Sequence, residues 1–164
     1  GEHGFYDKRF MYEESIRIPL LMRYPPLIEP GTVEERVVRN IDFAPTFMDL
    51  SGLNIPGDVQ GRSLRPLMEQ HTDPTWDEPL YYHYYEYPWP HRVRRHYGIR
   101  TDRYKLIYYY RIQEWELFDL HRDPHELRNV AYAERYREIF RKLKEGLRAQ
   151  RAKYGDRTGK PVPK

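Results

Sequence analysis

Apolar positions fall along this chain in two rhythms, and the change from one to the other marks how it is organised. From residue 80 onward, short runs rich in aromatic and β-branched residues occupy Leu80–Tyr87, Tyr97–Thr101, Tyr104–Tyr110 and Trp115–Leu120. Pro88-Trp89-Pro90, Thr101-Asp102 and Ile112-Gln113-Glu114 separate them, and these are residues suited to turns. The spacing predicts an antiparallel sheet with one strand per run. A helical period follows: Tyr136, Ile139, Phe140, Leu143 and Leu147 make one stripe of a helix over Ala131–Lys153, expected to lie across the sheet. Gly155–Lys164 is polar, holds two prolines and is predicted to be a disordered tail.

The first half is less regular. Gly1–Ser15 reads as loop, with one helical turn around Phe10–Glu14. Ile18–Tyr24 is a largely apolar run closed by Pro25-Pro26, the pattern of a strand in a parallel or mixed sheet covered on both faces. Little within the chain is available to cover it, so the rest of that sheet is expected to lie outside these residues. Asp42, Pro45 and Gly52 mark the start, first turn and end of a short helix, with Phe43, Phe47 and Leu50 on one face. A further helical turn is expected at Ser63–Met68. These patterns divide the chain into a first part over 1–68, a polar linker over 69–79 that contains Pro74, a sheet-and-helix part over 80–154, and the tail over 155–164.

Composition narrows this picture. Only 39% of the 164 residues are hydrophobic, yet 15% are aromatic and 16 are tyrosine. Tyrosine buries a ring while keeping a polar tip, so a sheet with one wet face is expected. The charge of +3 fits a polyanionic partner without requiring one. The absence of cysteine excludes a disulfide framework and a thiolate metal site. No apolar run approaches the ~20 residues of a membrane span. The chain opens on Gly-Glu-His without the basic, apolar and small-residue pattern of a leader, and a beginning inside a loop is expected of a piece of a longer protein.

Lys8 is the first candidate for chemistry. It stands in a polar loop ahead of an apolar strand, and an ammonium there is a compact point charge suited to a tetrahedral oxyanion such as sulfate or phosphate. An ordinary solvated lysine fits the same position. A second candidate is the basic cluster His91, Arg92, Arg94, Arg95 and His96 beside Pro88-Trp89-Pro90, which offers charge for an anion and an aromatic face for a sugar ring. A solvated loop reads the same way. The basic face of the last helix, with Arg137, Arg141, Lys144, Arg148 and Arg151, is read as solvated.

Several stretches together resemble a known family. Gly1-Glu2-His3-Gly4 with Lys8, Tyr12-Glu13-Glu14-Ser15 and Arg17-Ile18-Pro19-Leu20 resemble the segment that type I sulfatases carry just after their last metal-binding residues. Asn40-Ile41-Asp42-Phe43-Ala44-Pro45-Thr46, Gln60-Gly61-Arg62-Ser63-Leu64, Gly98–Ile107 and Trp115–Leu120 with Asp123-Pro124-His125-Glu126 follow in the order of that family's carboxyl-terminal half. Tyr85-Glu86-Tyr87-Pro88 and His91 ahead of His96-Tyr97-Gly98 are most similar to bacterial N-acetylglucosamine-6-sulfatases and other glycosaminoglycan sulfatases.

The resemblance implies an α/β, alkaline-phosphatase-like sulfatase fold, of which this chain is the carboxyl-terminal fragment, with a small four-stranded antiparallel sheet packed against a long terminal helix. It also implies sulfate-ester hydrolysis by a formylglycine, made from a Cys/Ser-x-Pro-x-Arg motif, at a calcium ion held by Asp and Asn or His side chains. That motif is not in the sequence, and the calcium ligands are expected outside it, so the chain alone is expected to be inactive. Lys8 matches the family's sulfate-contacting lysine, which stabilises the leaving oxygen. His3 and Arg17 are expected to support the site from one layer out, Arg17 by pairing with Glu13 or Glu14. His91, Arg94, Arg95 and His96 are expected to contact substrate. The implied partners are a sulfated saccharide and the missing amino-terminal part, with neither nucleic acid nor a membrane span, in a periplasmic or secreted setting. A phosphodiesterase or phosphonate hydrolase of the same superfamily, or a non-catalytic polyanion-binding module, are the alternatives.

Overall fold

The computed structural model describes residues 2–4, 8–71, 74–88 and 92–163. It divides the chain into two units, one made of Gly1–Pro19 with Pro79–Lys164 and the other of Leu20–Glu78. The division differs from the order read in the sequence, because the first residues of the chain join the carboxyl-terminal sheet.

The sheet of the first unit contains β1 (Leu80–Tyr84), β2 (His96–Arg100), β3 (Tyr104–Tyr109) and β4 (Glu114–Asp119), each antiparallel to its sequence neighbour, in the order β1-β2-β3-β4. Tyr81 faces Ile99, Ile99 faces Leu106 and Leu106 faces Leu117, which sets one register across the sheet. Alternation then sorts the side chains onto two faces. On one, Tyr97, Ile99, Leu106, Tyr108, Trp115 and Leu117 pack with Leu143 and Leu147 of the long helix α4 (Arg137–Lys153). On the other, Ile107, Tyr109 and Phe118 pack with Met11 and Tyr12. The amino-terminal segment thus covers the face expected to be wet.

The helix begins at Arg137 and not at Ala131, because the preceding residues are used on the sheet edge. Val130 N–H donates to the Leu117 carbonyl at 2.9 Å. Asn129 bridges the same edge, accepting from Leu117 N–H at 3.0 Å and donating to the Trp115 carbonyl at 2.9 Å. These bonds occupy groups of β4 that an edge strand otherwise leaves open.

The carboxyl-terminal segment is packed, contrary to the expected disorder. Arg151, buried on α4, donates to the carbonyls of Asp156, Thr158 and Lys160 at 3.1, 2.6 and 3.4 Å, and Arg148 donates to that of Pro163. Asp156 accepts from the Tyr81 hydroxyl at 2.5 Å and lies 2.6 Å from His83 Nδ1. Arg148 and Arg151 therefore leave the solvated face expected of them. The polar sequence hid this packing because the bonds fall mainly on main-chain carbonyls.

The second unit holds α2 (Phe43–Leu50) and α3 (Arg65–Met68) around Leu64, Leu67, Met68 and Trp76. Asp42 joins its pieces, accepting from Arg39 N–H at 2.9 Å and Arg62 N–H at 3.0 Å. Gly61 is required by close approach: a Cβ there would stand 1.9 Å from the Ile41 carbonyl oxygen. Trp76 donates to the Val37 carbonyl at 3.1 Å and receives the Arg62 guanidinium 3.7 Å from its ring. The stretch expected to be a linker thus supplies a core residue. Ile18–Tyr24 forms no strand; Ile18 is 71% and Leu21 96% exposed, since no other strand among the described residues lies beside it. No described helix is long and apolar enough to cross a membrane.

Candidate functional site

The segment that carries Lys8 is fixed residue by residue to the sheet. Lys8 is exposed at a bend. Arg9 pairs with Glu86 at 3.1 Å, and its carbonyl accepts from the Tyr82 hydroxyl at 3.2 Å. Phe10 stacks beside His96, ring centres 6.1 Å apart. Met11 is wholly buried over Gly98, where a Cβ would meet its sulfur at 2.7 Å. Tyr12 donates to Glu116 at 3.1 Å, a carboxylate that also accepts from Tyr109. The single-turn helix α1 (Glu13–Ile16) follows.

A cluster of buried charge lies under α1. Lys105, with no solvent exposure, places Nζ 2.8 Å from Glu13 and 2.7 Å from Glu126. Arg100 reaches Glu13 from β2 at 3.2 Å. The Glu126 carboxylate accepts the Glu13 N–H at 2.6 Å. Burial pushes Glu13 up, but Lys105 and Arg100 outweigh it and its pKa lies below the ordinary value. Burial dominates at Glu126, which Lys105 only partly offsets, and its pKa is raised. Glu126 is aimed inward by its turn: it sits at φ +53°, and Asp123 accepts from the N–H groups of Leu127 and Arg128 at 3.1 and 2.8 Å.

The expected site residues separate. His3 stacks on Tyr12 at 4.3 Å and lies 3.6 Å from Glu14, beside the Lys8 segment. Arg17 is exposed and does not pair as expected, because Glu13 is engaged by Lys105 and Arg100 and Glu14 lies near His3 and His125. Arg94 is exposed and donates to the Tyr87 hydroxyl at 2.9 Å; Arg95 donates to the Tyr87 carbonyl at 3.1 Å. His96 belongs instead to the interior. Its ring lies among Phe10, Tyr82, Tyr84 and Tyr109, and Nδ1 is 2.7 Å from the Arg94 carbonyl. A side chain so enclosed has no open face for a sugar. His91 lies outside the described residues.

Lys8 and the Arg94–Arg95 segment nevertheless share a neighbourhood. The Arg9–Glu86 pair and the Phe10–His96 stack join the loop of Lys8 to both ends of the β1–β2 connection. Among the described residues no group of three His, Asp or Glu side chains converges so as to hold a metal ion, so these residues do not fit a calcium site. Sequence reasoning missed Lys105, Glu126 and Arg100. One signal was available: Lys105 interrupts an aromatic and aliphatic run at a position that alternation puts inside.

The profile of the N-sulphoglucosamine sulphohydrolase carboxyl-terminal family matches residues 1–153, and the chain belongs to that family. It is 49% identical over 152 residues to an N-acetylglucosamine-6-O-sulfatase of Bacteroides thetaiotaomicron, covering 88% of this chain and 27% of that protein. The fold matches the structure of BT4656 in complex with its substrate D-glucosamine-2-N,6-O-disulfate, with a TM-score of 0.93 at 45% identity over 99% of this chain and 33% of that one. It also matches the phosphonate monoester hydrolase SpPMH of Silicibacter pomeroyi, with a TM-score of 0.80 at 26% identity over 93% of this chain and 32% of that one. The chain thus spans about a quarter to a third of the length of these relatives. An alkaline-phosphatase-like sulfatase fold, seen from its carboxyl-terminal part, is the class these findings define.

Proposed function

We propose that this chain is one wall of the active site of a sulfatase that hydrolyses an O-sulfate ester on a glucosamine-type sugar. The observation that carries the reading is the 49% identity to an N-acetylglucosamine-6-O-sulfatase. In it, Lys8 meets the sulfate group at the exposed bend. Arg94 and Arg95 approach the sugar from the neighbouring loop. Formylglycine and calcium belong to the remainder of the full-length protein, and the 164 residues alone are inactive. Export to the periplasm or medium suits a polymeric sulfated substrate.

The test is hydrolysis by the full-length protein of N-acetylglucosamine 6-O-sulfate, a small aryl sulfate and a phosphonate monoester. A kcat/KM highest on the sulfated sugar is expected. Preference for the phosphonate ester would favour the second reading, for which the likeness to SpPMH speaks. Arg95→Ala or His91→Ala should weaken turnover of the sugar far more than of the aryl sulfate, because only the sugar reaches those groups. Equal losses on both substrates would remove the cluster from the pocket.

A further inference from the structure

We infer that Lys105 and Glu126 are positioning residues for Lys8, acting as a buried charge clamp that fixes the loop between the bend and α1 against the sheet; the inference rests on the role of Lys8 proposed above. A helix of four residues has almost no stability of its own, so the register of α1 is imposed from outside. Glu126 imposes it by accepting the first N–H of the helix, at Glu13, from more than a hundred residues further along the chain. Lys105 then holds the two carboxylates together.

The sheet does not need these charges for itself. Lys105 stands directly opposite Arg100 in the β2–β3 register, and like charges in that position destabilise a sheet. Glu13, reaching in from the amino-terminal segment, pairs with both cations, and Glu126 supplies the second negative charge. Two cations and two carboxylates balance, and the arrangement is complete only when the segment of Lys8 is seated. A buried ion cluster is weak evidence for stability compared with apolar packing, and its best-attested use is to fix one register against another. Met11 over Gly98 and Tyr12 on Glu116 carry the same registration toward Lys8.

The inference is tested in the full-length protein with Lys105→Met combined with Glu126→Gln. This pair removes one cation and one anion and leaves Glu13 with Arg100, so buried charge stays balanced. Expected is a melting temperature close to wild type, a KM for N-acetylglucosamine 6-O-sulfate little changed, and a kcat lower by about ten- to a hundredfold, the size of effect that a small misplacement of a catalytic group produces. Made in a Lys8→Ala background, the same pair should lower kcat no further, because the group it positions is gone. If the pair lowers kcat equally in both backgrounds, or leaves it unchanged in a folded protein, the positioning role is overturned while the reading of Lys8 stands. If Lys8→Ala alone keeps wild-type kcat, the reading of Lys8 fails and this inference with it. Should the pair not fold, Glu126→Gln alone keeps an oxygen for the Glu13 N–H and must show the same dependence on Lys8.

Discussion

His96 shows how one residue changes meaning between sequence and structure. In the sequence it ends a basic cluster. In the fold its Nδ1–H donates to the Arg94 carbonyl, and its Nε2 is buried among aromatic rings without a hydrogen-bond partner. Burial pushes the imidazole from 6.5 down to about 4, the Arg94 bond opposing this and charge on His83 adding to it. Because the folded value lies below the unfolded one, the neutral form is the one that folding favours. Its contribution is complete above about pH 6.5 and is lost as pH falls toward 4, by about 3 kcal/mol in all. Denaturant titrations of wild type and His96→Gln between those pH values should show the wild type losing stability more steeply toward acid. Parallel curves would mean that His96 protonates as readily folded as unfolded. Lys8 was legible only as a candidate, from local order and family likeness. The charges beneath its loop were not, because Glu13, Lys105 and Glu126 lie far apart in sequence and only the register of the sheet brings them together.

At the scale of elements, period carries the information, and it is unambiguous only where it alternates. The strands were legible to within a few residues because turns bound them and their side chains divide between two faces. Ile18–Tyr24 was not, since a largely apolar run without clear alternation reads the same whether its partner strands lie within these residues or outside them. The second face of the sheet was equally hidden, for nothing in β2 or β3 says that Met11 and Tyr12 come to cover it. Gly98 is where that cover bears hardest. A Cβ there would stand 2.4 Å from the Leu106 carbonyl oxygen as well as 2.7 Å from the sulfur of Met11. Met11 is flexible enough to yield, but a paired backbone carbonyl is not. Gly98→Ala should therefore cost roughly 2 kcal/mol or more, seen as a lower denaturant midpoint at unchanged slope. Adding Met11→Ala should fail to restore it. Full recovery in that double variant would place the strain in the methionine contact alone.

At the scale of the whole chain, one unit is a sheet covered on both faces, and the other exposes Leu20, Leu21, Val33, Phe47 and Leu53. Hydrogen exchange on the chain alone should show strong protection in β2, β3 and α4 and weak protection through residues 20–34, where few backbone bonds form; uniformly high protection there would contradict the exposed run. On the proposed reading, the largest functional consequence belongs to the full-length protein and to Lys8. Cleavage of a sulfate ester places negative charge on the leaving sugar oxygen, so a cation fixed beside it binds the transition state more tightly than the ground state. By analogy with the loss of one preorganised donor, Lys8→Ala in the full-length protein should, on the proposed reading, cost on the order of 3 kcal/mol, or roughly a hundredfold in kcat. Arginine should rescue little, because its planar fork does not reproduce a compact ammonium. The measurement that separates this role from general disruption varies the leaving alcohol. If Lys8 supports the leaving oxygen, the deficit of Lys8→Ala should shrink steadily as the alcohol becomes more acidic and needs less help to depart. A deficit of constant size across the series would instead assign Lys8 to binding the sulfate group, and wild-type kcat on the least acidic alcohol would leave it an ordinary lysine at a bend.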